Sequence, residues 1–177
     1  MQLFRSHGIT RNQALMKKQS DGPWYYQQVD LGFNYRMTEL QAALGISQMR
    51  RLDQFVEKRN ILKNRYDQLL GELPVIRPYQ SSDIYSALHL YPIQIDVNNA
   101  TVSRSQVFDT LRKGGIRVNV HYIPVHTQPY YLEMGFAYGD FPVSESYYYN
   151  AISLPLFPQM SFDDQDKVVT ALMSVIQ

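Results

Sequence analysis

Gly32-Phe33-Asn34-Tyr35-Arg36-Met37-Thr38-Glu39-Leu40-Gln41-Ala42-Ala43-Leu44-Gly45 joins an irregular segment to the start of a helix. Thr38 and Gln41 are spaced as a capping box: the threonine hydroxyl accepts from the amide at Gln41, whose side chain reaches back to the amide of Thr38. Beyond the box, Leu40, Ala43, Leu44, Leu52, Phe55, Val56, Leu62, Tyr66, Leu69 and Leu70 recur near a 3.6-residue period. Arg50, Arg51, Glu57, Lys58, Lys63 and Asp67 fill the remaining faces, so the pattern predicts one long helix whose stripe is first of all packing. Gly71 and Pro74 supply its stop. Gly45 weakens the helix by about 1 kcal/mol relative to alanine. Either a closely packed neighbour or a break into two helices accounts for it. A helix this long bridges two parts of a molecule, and the boundary is expected within it, between residues 1–50 and 51–177.

Upstream of the quoted stretch, Met1-Gln2-Leu3-Phe4-Arg5-Ser6-His7-Gly8 begins on an apolar patch with nothing before it to cover that patch, and reads as a cut end. The run to Tyr26 is polar and irregular, with a turn signal at Asp21-Gly22-Pro23. A loop of that length before the first firm element points to a missing packing partner.

Downstream, the pattern alternates between strands and helices. Leu88 to Ile95 reads as a strand, with Pro92 marking an edge or a bulge. Ser103 and Gln106 form a second capping box, and a helix carrying Val107, Phe108 and Leu111 ends at Gly114-Gly115. Ile116 to Tyr122 alternates, with Arg117, Asn119 and His121 on the polar face. A proline-rich loop leads to a short helix over Tyr130 to Met134. Pro142 suits the first turn of a helix covering Ser144 to Asn150, and Leu154 to Pro158 is extended. The last helix opens at Ser161 with Asp163 and Asp164 in its first turn, and Val168, Val169, Leu172, Met173 and Ile176 form its apolar face. This is a small α/β layer, a few strands covered by helices on one side.

The totals narrow the function. Seventeen basic against sixteen acidic residues leave a formal charge of +1 in 177 residues, which gives no electrostatic case for nucleic acid or an anionic membrane. No cysteine is present, which excludes disulfides and thiolate metal sites and makes a cytoplasmic setting natural. No apolar run has the length of a membrane span, and the N-terminus lacks a signal-peptide pattern. No His, Asp and Glu set has metal-site spacing, and no glycine-rich phosphate loop occurs.

Three blocks together resemble the sugar aminotransferases named after the DegT, DnrJ, EryC and StrS proteins: Leu3 to Gly8, the quoted Gly32 to Gly45, and Gly115 to Pro124 with Ile152-Ser153-Leu154-Pro155-Leu156 behind it. The resemblance covers essentially the whole chain. Its third block is similar to the branch that aminates a UDP-linked 4-keto-6-deoxy sugar on the way to pseudaminic acid. It implies a pyridoxal-phosphate-dependent aminotransferase fold, α/β to α+β. Residues 1–50 would be the end of the large cofactor domain, and residues 51–177 the connecting helix and small domain. It further implies a homodimer with interfacial active sites, glutamate as the amine source, and a nucleotide-linked sugar as substrate. Asn34 is implied at the cofactor phosphate of the other subunit, with Arg36 close by. Asn119, Val120, His121 and Tyr122 are implied in the nucleotide-sugar pocket.

Without the resemblance, Asn34 reads as a turn residue, Arg36 equally as an ion-pair arginine, and His121 as an ordinary strand histidine. His89 and Tyr91 read as packing, and His7 and His126 as solvated loop residues. Transamination needs a lysine amine to hold the cofactor covalently and shuttle a proton. In the family that lysine lies upstream of the first block, and Lys17, Lys18, Lys58, Lys63, Lys113 and Lys167 match no such motif, so no catalytic residue is expected in this chain. The expectation is a C-terminal portion of an aminotransferase, inactive alone. The rival is a non-catalytic protein that keeps the dimerising and sugar-binding surfaces.

Overall fold

The computed structural model describes residues 1–176, and they divide into two compact units, Met1–Arg51 and a second beginning at Leu52. Hydrogen bonds between backbone segments organise the first unit. Helix α1 (Gln2–Arg5) leads into β1 (Ile9–Thr10), which pairs antiparallel with β2 (Gln27–Gln28). The Phe4 and Arg5 carbonyls accept the amides of Phe33 at 2.6 Å and Tyr35 at 3.0 Å, and the His7 amide returns to Phe33 O at 3.0 Å. The two segments touch so closely that both need glycine. A Cβ on Gly8 (φ +67°) would lie 1.8 Å from Asp30 O, and one on Gly32 would lie 2.1 Å from Gly8 N.

Helix α2 (Glu39–Met49) opens with both halves of the expected capping box, Gln41 N–H to Thr38 Oγ1 at 3.3 Å and Thr38 N–H to Gln41 Oε1 at 3.0 Å. The single long helix is two, because α2 stops and α3 (Leu52–Leu69) begins after a turn at Arg50-Arg51. There the Arg51 amide bonds Gln48 O, a tighter three-residue turn that ends the helical ladder. Gly45 is not the break, and a Cβ there would meet nothing within 4 Å. The stripe also divides: Leu40 is 85% and Leu44 63% exposed, whereas Leu62 and Tyr66 of α3 are fully buried.

In the second unit, β3 (Val75–Ile76), β4 (Tyr91–Ile95) and β5 (Ala151–Leu154) form an antiparallel sheet in that order, which makes this part α+β. Ile93 stands opposite Ile152, and Pro92 opposite Ser153. Pro92 is tolerated in the middle strand because β3 pairs only with Gln94 and Ile95, leaving β4 an edge at the position that lacks an N–H. Ile116 to Tyr122 makes no regular strand. It keeps the alternation, with Val118 buried between exposed Arg117 and Asn119, but forms one bridge only, Asn119 to Ser153. The strand that does form, β5, is buried at all four positions and so carries no alternating pattern.

Helices α4 (Arg104–Lys113), α5 (Pro129–Glu133), α6 (Pro142–Asn150) and α7 (Phe162–Ile176) complete the unit, with α7 packed on α3 and α4. Leu62, Leu70, Ile93, Leu111, Ile152 and Leu172 lie in one fully buried core. Each such side chain contributes about 2 kcal/mol on leaving water. Gln165 holds a fully buried place on α7, its Nε2 donating to Leu62 O at 2.6 Å and its Oε1 accepting from Arg65 at 3.3 Å, while Met173 turns outward. Tyr66 and Tyr91 stack at 4.9 Å. Their hydroxyls donate to Pro155 O at 3.1 Å and Asp67 Oδ1 at 2.6 Å, and burial pushes both well above the usual tyrosine range.

Candidate functional site

The structure brings three of the expected substrate residues together with one that was not expected. Asn119 is fixed to β5 by its backbone, Ser153 N–H to Asn119 O at 2.8 Å and Asn119 N–H to Ser153 O at 3.4 Å. The Asn119 side chain is then oriented by the amide of Val120, which donates to Oδ1 at 2.9 Å. That leaves Nδ2 facing His121 Nε2 at 3.3 Å. The other ring nitrogen, Nδ1, is 2.8 Å from the hydroxyl of Ser153, which is 5% exposed. The Tyr122 ring meets His121 edge-on, 4.6 Å between centroids, and is 72% exposed. Val120 is half-buried and enters through its backbone only. The assembly presents an amide, an imidazole and a phenol on one short segment: donors, an acceptor and a stacking face of the kind a sugar or a base engages. A separate surface cavity of about 470 Å³, between Gly114–Arg117 and the Asp164–Ala171 side of α7, contains none of these four residues.

Asn34 and Arg36 belong to the first unit. Asn34 forms an antiparallel bridge with Ser6, so its position is set by the same backbone contacts that require Gly8 and Gly32. Both side chains are exposed, and neither has a hydrogen-bond or ion-pair partner among the described residues. An amide and a guanidinium held on a fixed backbone are the donor types that a phosphate takes. The fit to a phosphorylated cofactor stops at that end. Lys63 is paired with Asp67 at 2.6 Å, Lys58 lies 4.9 Å over the Phe162 ring, and Lys167 is 3.7 Å from Asp164. Lys17, Lys18 and Lys113 are exposed, so no lysine of the chain is buried as a covalent cofactor holder needs to be.

One further polar cluster was not anticipated. His126, expected in a solvated loop, is 7% exposed and its Nε2 lies 2.8 Å from Glu145 Oε1. The same oxygen accepts the Gly139 amide at 2.8 Å. The His126 contact and then the Gly139 amide hold the Glu145 carboxyl below its ordinary range. Beside it, Val125, Tyr131, Phe136 and Phe141 line an apolar groove of about 380 Å³.

The family model for the DegT/DnrJ/EryC1/StrS aminotransferases matches residues 1–173. The chain belongs to that family. Among its relatives is the spore coat polysaccharide biosynthesis protein SpsC of Bacillus subtilis, 38% identical over 97% of this chain and 44% of the relative. Another is the UDP-4-amino-4,6-dideoxy-N-acetyl-beta-L-altrosamine transaminase of Campylobacter jejuni, 29% identical over 100% of this chain and 44% of the relative. Spr1654 of Streptococcus pneumoniae, solved in apo, PLP and PMP forms, superposes in its PMP form with a TM-score of 0.85 at 26% identity, covering 98% of this chain and 43% of that one. The chain therefore has the fold of part of a sugar-aminotransferase-family protein, and it spans a little under half the length of these relatives. Among the described residues, no helix is long and apolar enough to cross a membrane, and no group of three or more His, Asp or Glu is placed to hold a metal ion.

Proposed function

We propose that this chain is the substrate-binding and phosphate-contacting part of a pyridoxal-phosphate-dependent aminotransferase. The reaction moves an amine from glutamate to a nucleotide-linked 4-keto-6-deoxy sugar in amino-sugar biosynthesis. The observation that carries the reading is the family match through residues 1–173, joined to the Asn119–His121–Ser153 cluster inside the third resembling block. When bound, the cofactor supplies the electron sink for amine transfer. Asn34 and Arg36 donate to its phosphate across a homodimer interface. Asn119 and His121 bind hydroxyl or carbonyl oxygens of the nucleotide sugar, and Tyr122 stacks against it. The lysine that holds the cofactor comes from outside these residues, so the isolated chain binds without turning over. The test is to express the longest reading frame that contains this chain and incubate it with pyridoxal phosphate, glutamate and a UDP-4-keto-6-deoxy sugar. A new aminated sugar and 2-oxoglutarate are expected. Their absence from a folded, cofactor-loaded protein would end the reading.

The placement of the lysines favours a second reading, a non-catalytic protein that binds a nucleotide sugar or a homologue. Exposed Leu31, Tyr35, Leu40 and Leu44, at 63% to 85%, supply an apolar surface for such a partner. The two readings separate on the longest reading frame that contains this chain, where UDP-sugar binding or association with a homologue without any aminated product belongs to the second alone.

A further inference from the structure

The cavity of about 470 Å³ beside α7 is graded from an apolar floor to a charged mouth. Met160 and Val168, at 2% and 4% exposure, form the floor, with half-buried Ile116 and Ala171 beside them and the exposed Phe157 ring as a wall. Arg117 and Lys167 are exposed at the mouth. Arg117 has no hydrogen-bond or ion-pair partner among the described residues, because Val118 turns into the core and sends its neighbour outward. Lys167 Nζ is 3.7 Å from Asp164 Oδ1. The other oxygen of that carboxylate accepts the Ser161 hydroxyl at 2.7 Å and the Ser161 amide at 3.2 Å, closing the start of α7. Across the mouth, α4 ends in Arg112 and Lys113, and the Gly114-Gly115 turn that follows sets no side chain over the opening. Gly115 takes φ +80°, a conformation that side chains rarely adopt, and a Cβ there would meet nothing within 4 Å.

We propose that this cavity binds a small carboxylate with an apolar ring or alkyl body, the body lying on Met160, Val168 and Ala171 and the carboxylate between Arg117 and Lys167. The volume is that of a small-molecule site. An apolar body gains by leaving water against side chains that are already dry. The charge of the ligand follows from the mouth, where two basic residues meet one acidic residue that is already engaged in its helix cap. A carboxylate can take two N–H groups of the free Arg117 guanidinium at once. A neutral ligand would leave that guanidinium unpaired, and a cation would be repelled by it. A nucleotide sugar is excluded by the floor, which offers its hydroxyls no polar partner. The site draws nothing from the reading of Asn119 to Tyr122, none of which lines it, and it stands whichever function the chain serves.

The probe is 2-naphthoate, with 2-naphthamide as its uncharged match, titrated calorimetrically into the longest reading frame that contains this chain. One equivalent of naphthoate is expected to bind, about ten-fold tighter than naphthamide at low salt, with the difference shrinking as salt is raised. Arg117→Gln and Lys167→Gln each weaken naphthoate about three-fold and leave naphthamide unchanged. Both positions are exposed, so neither change disturbs the core. The carbon-13 methyl resonance of Met160, assigned through Met160→Leu, shifts as naphthoate saturates and so locates the body of the ligand. Ala171→Trp fills the cavity and removes binding of both probes. Where circular dichroism shows that variant to be misfolded, the two charge variants and the Met160 resonance decide. Equal affinity for naphthoate and naphthamide overturns the proposal, as does a naphthoate affinity unmoved in both charge variants. A Met160 methyl that stays in place, or no saturable binding at millimolar probe, overturns it equally.

Discussion

Glu145 shows how far a single contact reaches in this fold. Its carboxylate takes the His126 ring and the Gly139 amide on one oxygen, and so ties together three separate segments, the turn at Val125–Thr127, the loop before Phe141, and α6. Because the fold holds its pKa below 4.5, the ionised form is favoured by folding. That contribution is complete above the ordinary value and disappears as the pH falls through the depressed one. In thermal melts across the acidic range, Glu145→Gln is expected to melt below wild type at neutral pH and to converge on it as the pH falls below the ordinary glutamate range. A constant gap across the whole range would assign Glu145 a packing role with no charge in it. His126 was read as solvated because the sequence around it is loop-like, and its partner lies 19 residues away. Ser153 and Gln165 escaped notice for the same reason, with partners 32 and 103 positions distant. Alternation placed Asn119 and His121 on one face, and the family resemblance alone implied a substrate role for them.

Elements whose signals are local came through the sequence clearly. The Thr38–Gln41 and Ser103–Gln106 boxes close as their three-residue spacing requires, and Pro142 begins α6. For α4 the consequence is measurable. Ser103 Oγ accepts the Gln106 amide at 3.3 Å and Gln106 Oε1 accepts the Ser103 amide at 2.8 Å. Ser103→Ala removes one of these bonds and loosens the other, and is expected to lower stability by about 1 kcal/mol in urea melts with the slope unchanged. Ser103→Asp, another good cap, should recover most of that loss, and no recovery would show that the hydroxyl works elsewhere. Elements that depend on pairing across the chain were not legible. The Ala151–Leu154 strand has no alternation because both of its faces are buried, and Ile116–Tyr122 has alternation but no continuous partner. The turn at Arg50-Arg51 was hidden because the hydrophobic period runs straight through it.

At the scale of the whole molecule, apolar burial is unevenly shared. Every member of the hydrophobic core lies between Leu62 and Ile176. In Met1–Arg51 only Gly8 and Thr10 are buried, and α2 has 11 residues with none buried. A helix of that length is marginal in water unless its apolar face is covered. Opening free energies should therefore differ sharply between the two units even if each is correctly formed. Amide hydrogen exchange on the intact chain is expected to show slow exchange in α3, β4, β5 and α7. The amides of α2 and of Phe33 and Tyr35 should exchange by local opening, orders of magnitude faster. If α2 is instead protected as strongly as α7, its Leu40 and Leu44 face is covered in solution, and a concentration series identifies the cover. Protection that climbs with protein concentration comes from a second copy, as the proposed homodimer requires. Protection independent of concentration comes from within the chain, and would leave the dimer without that face.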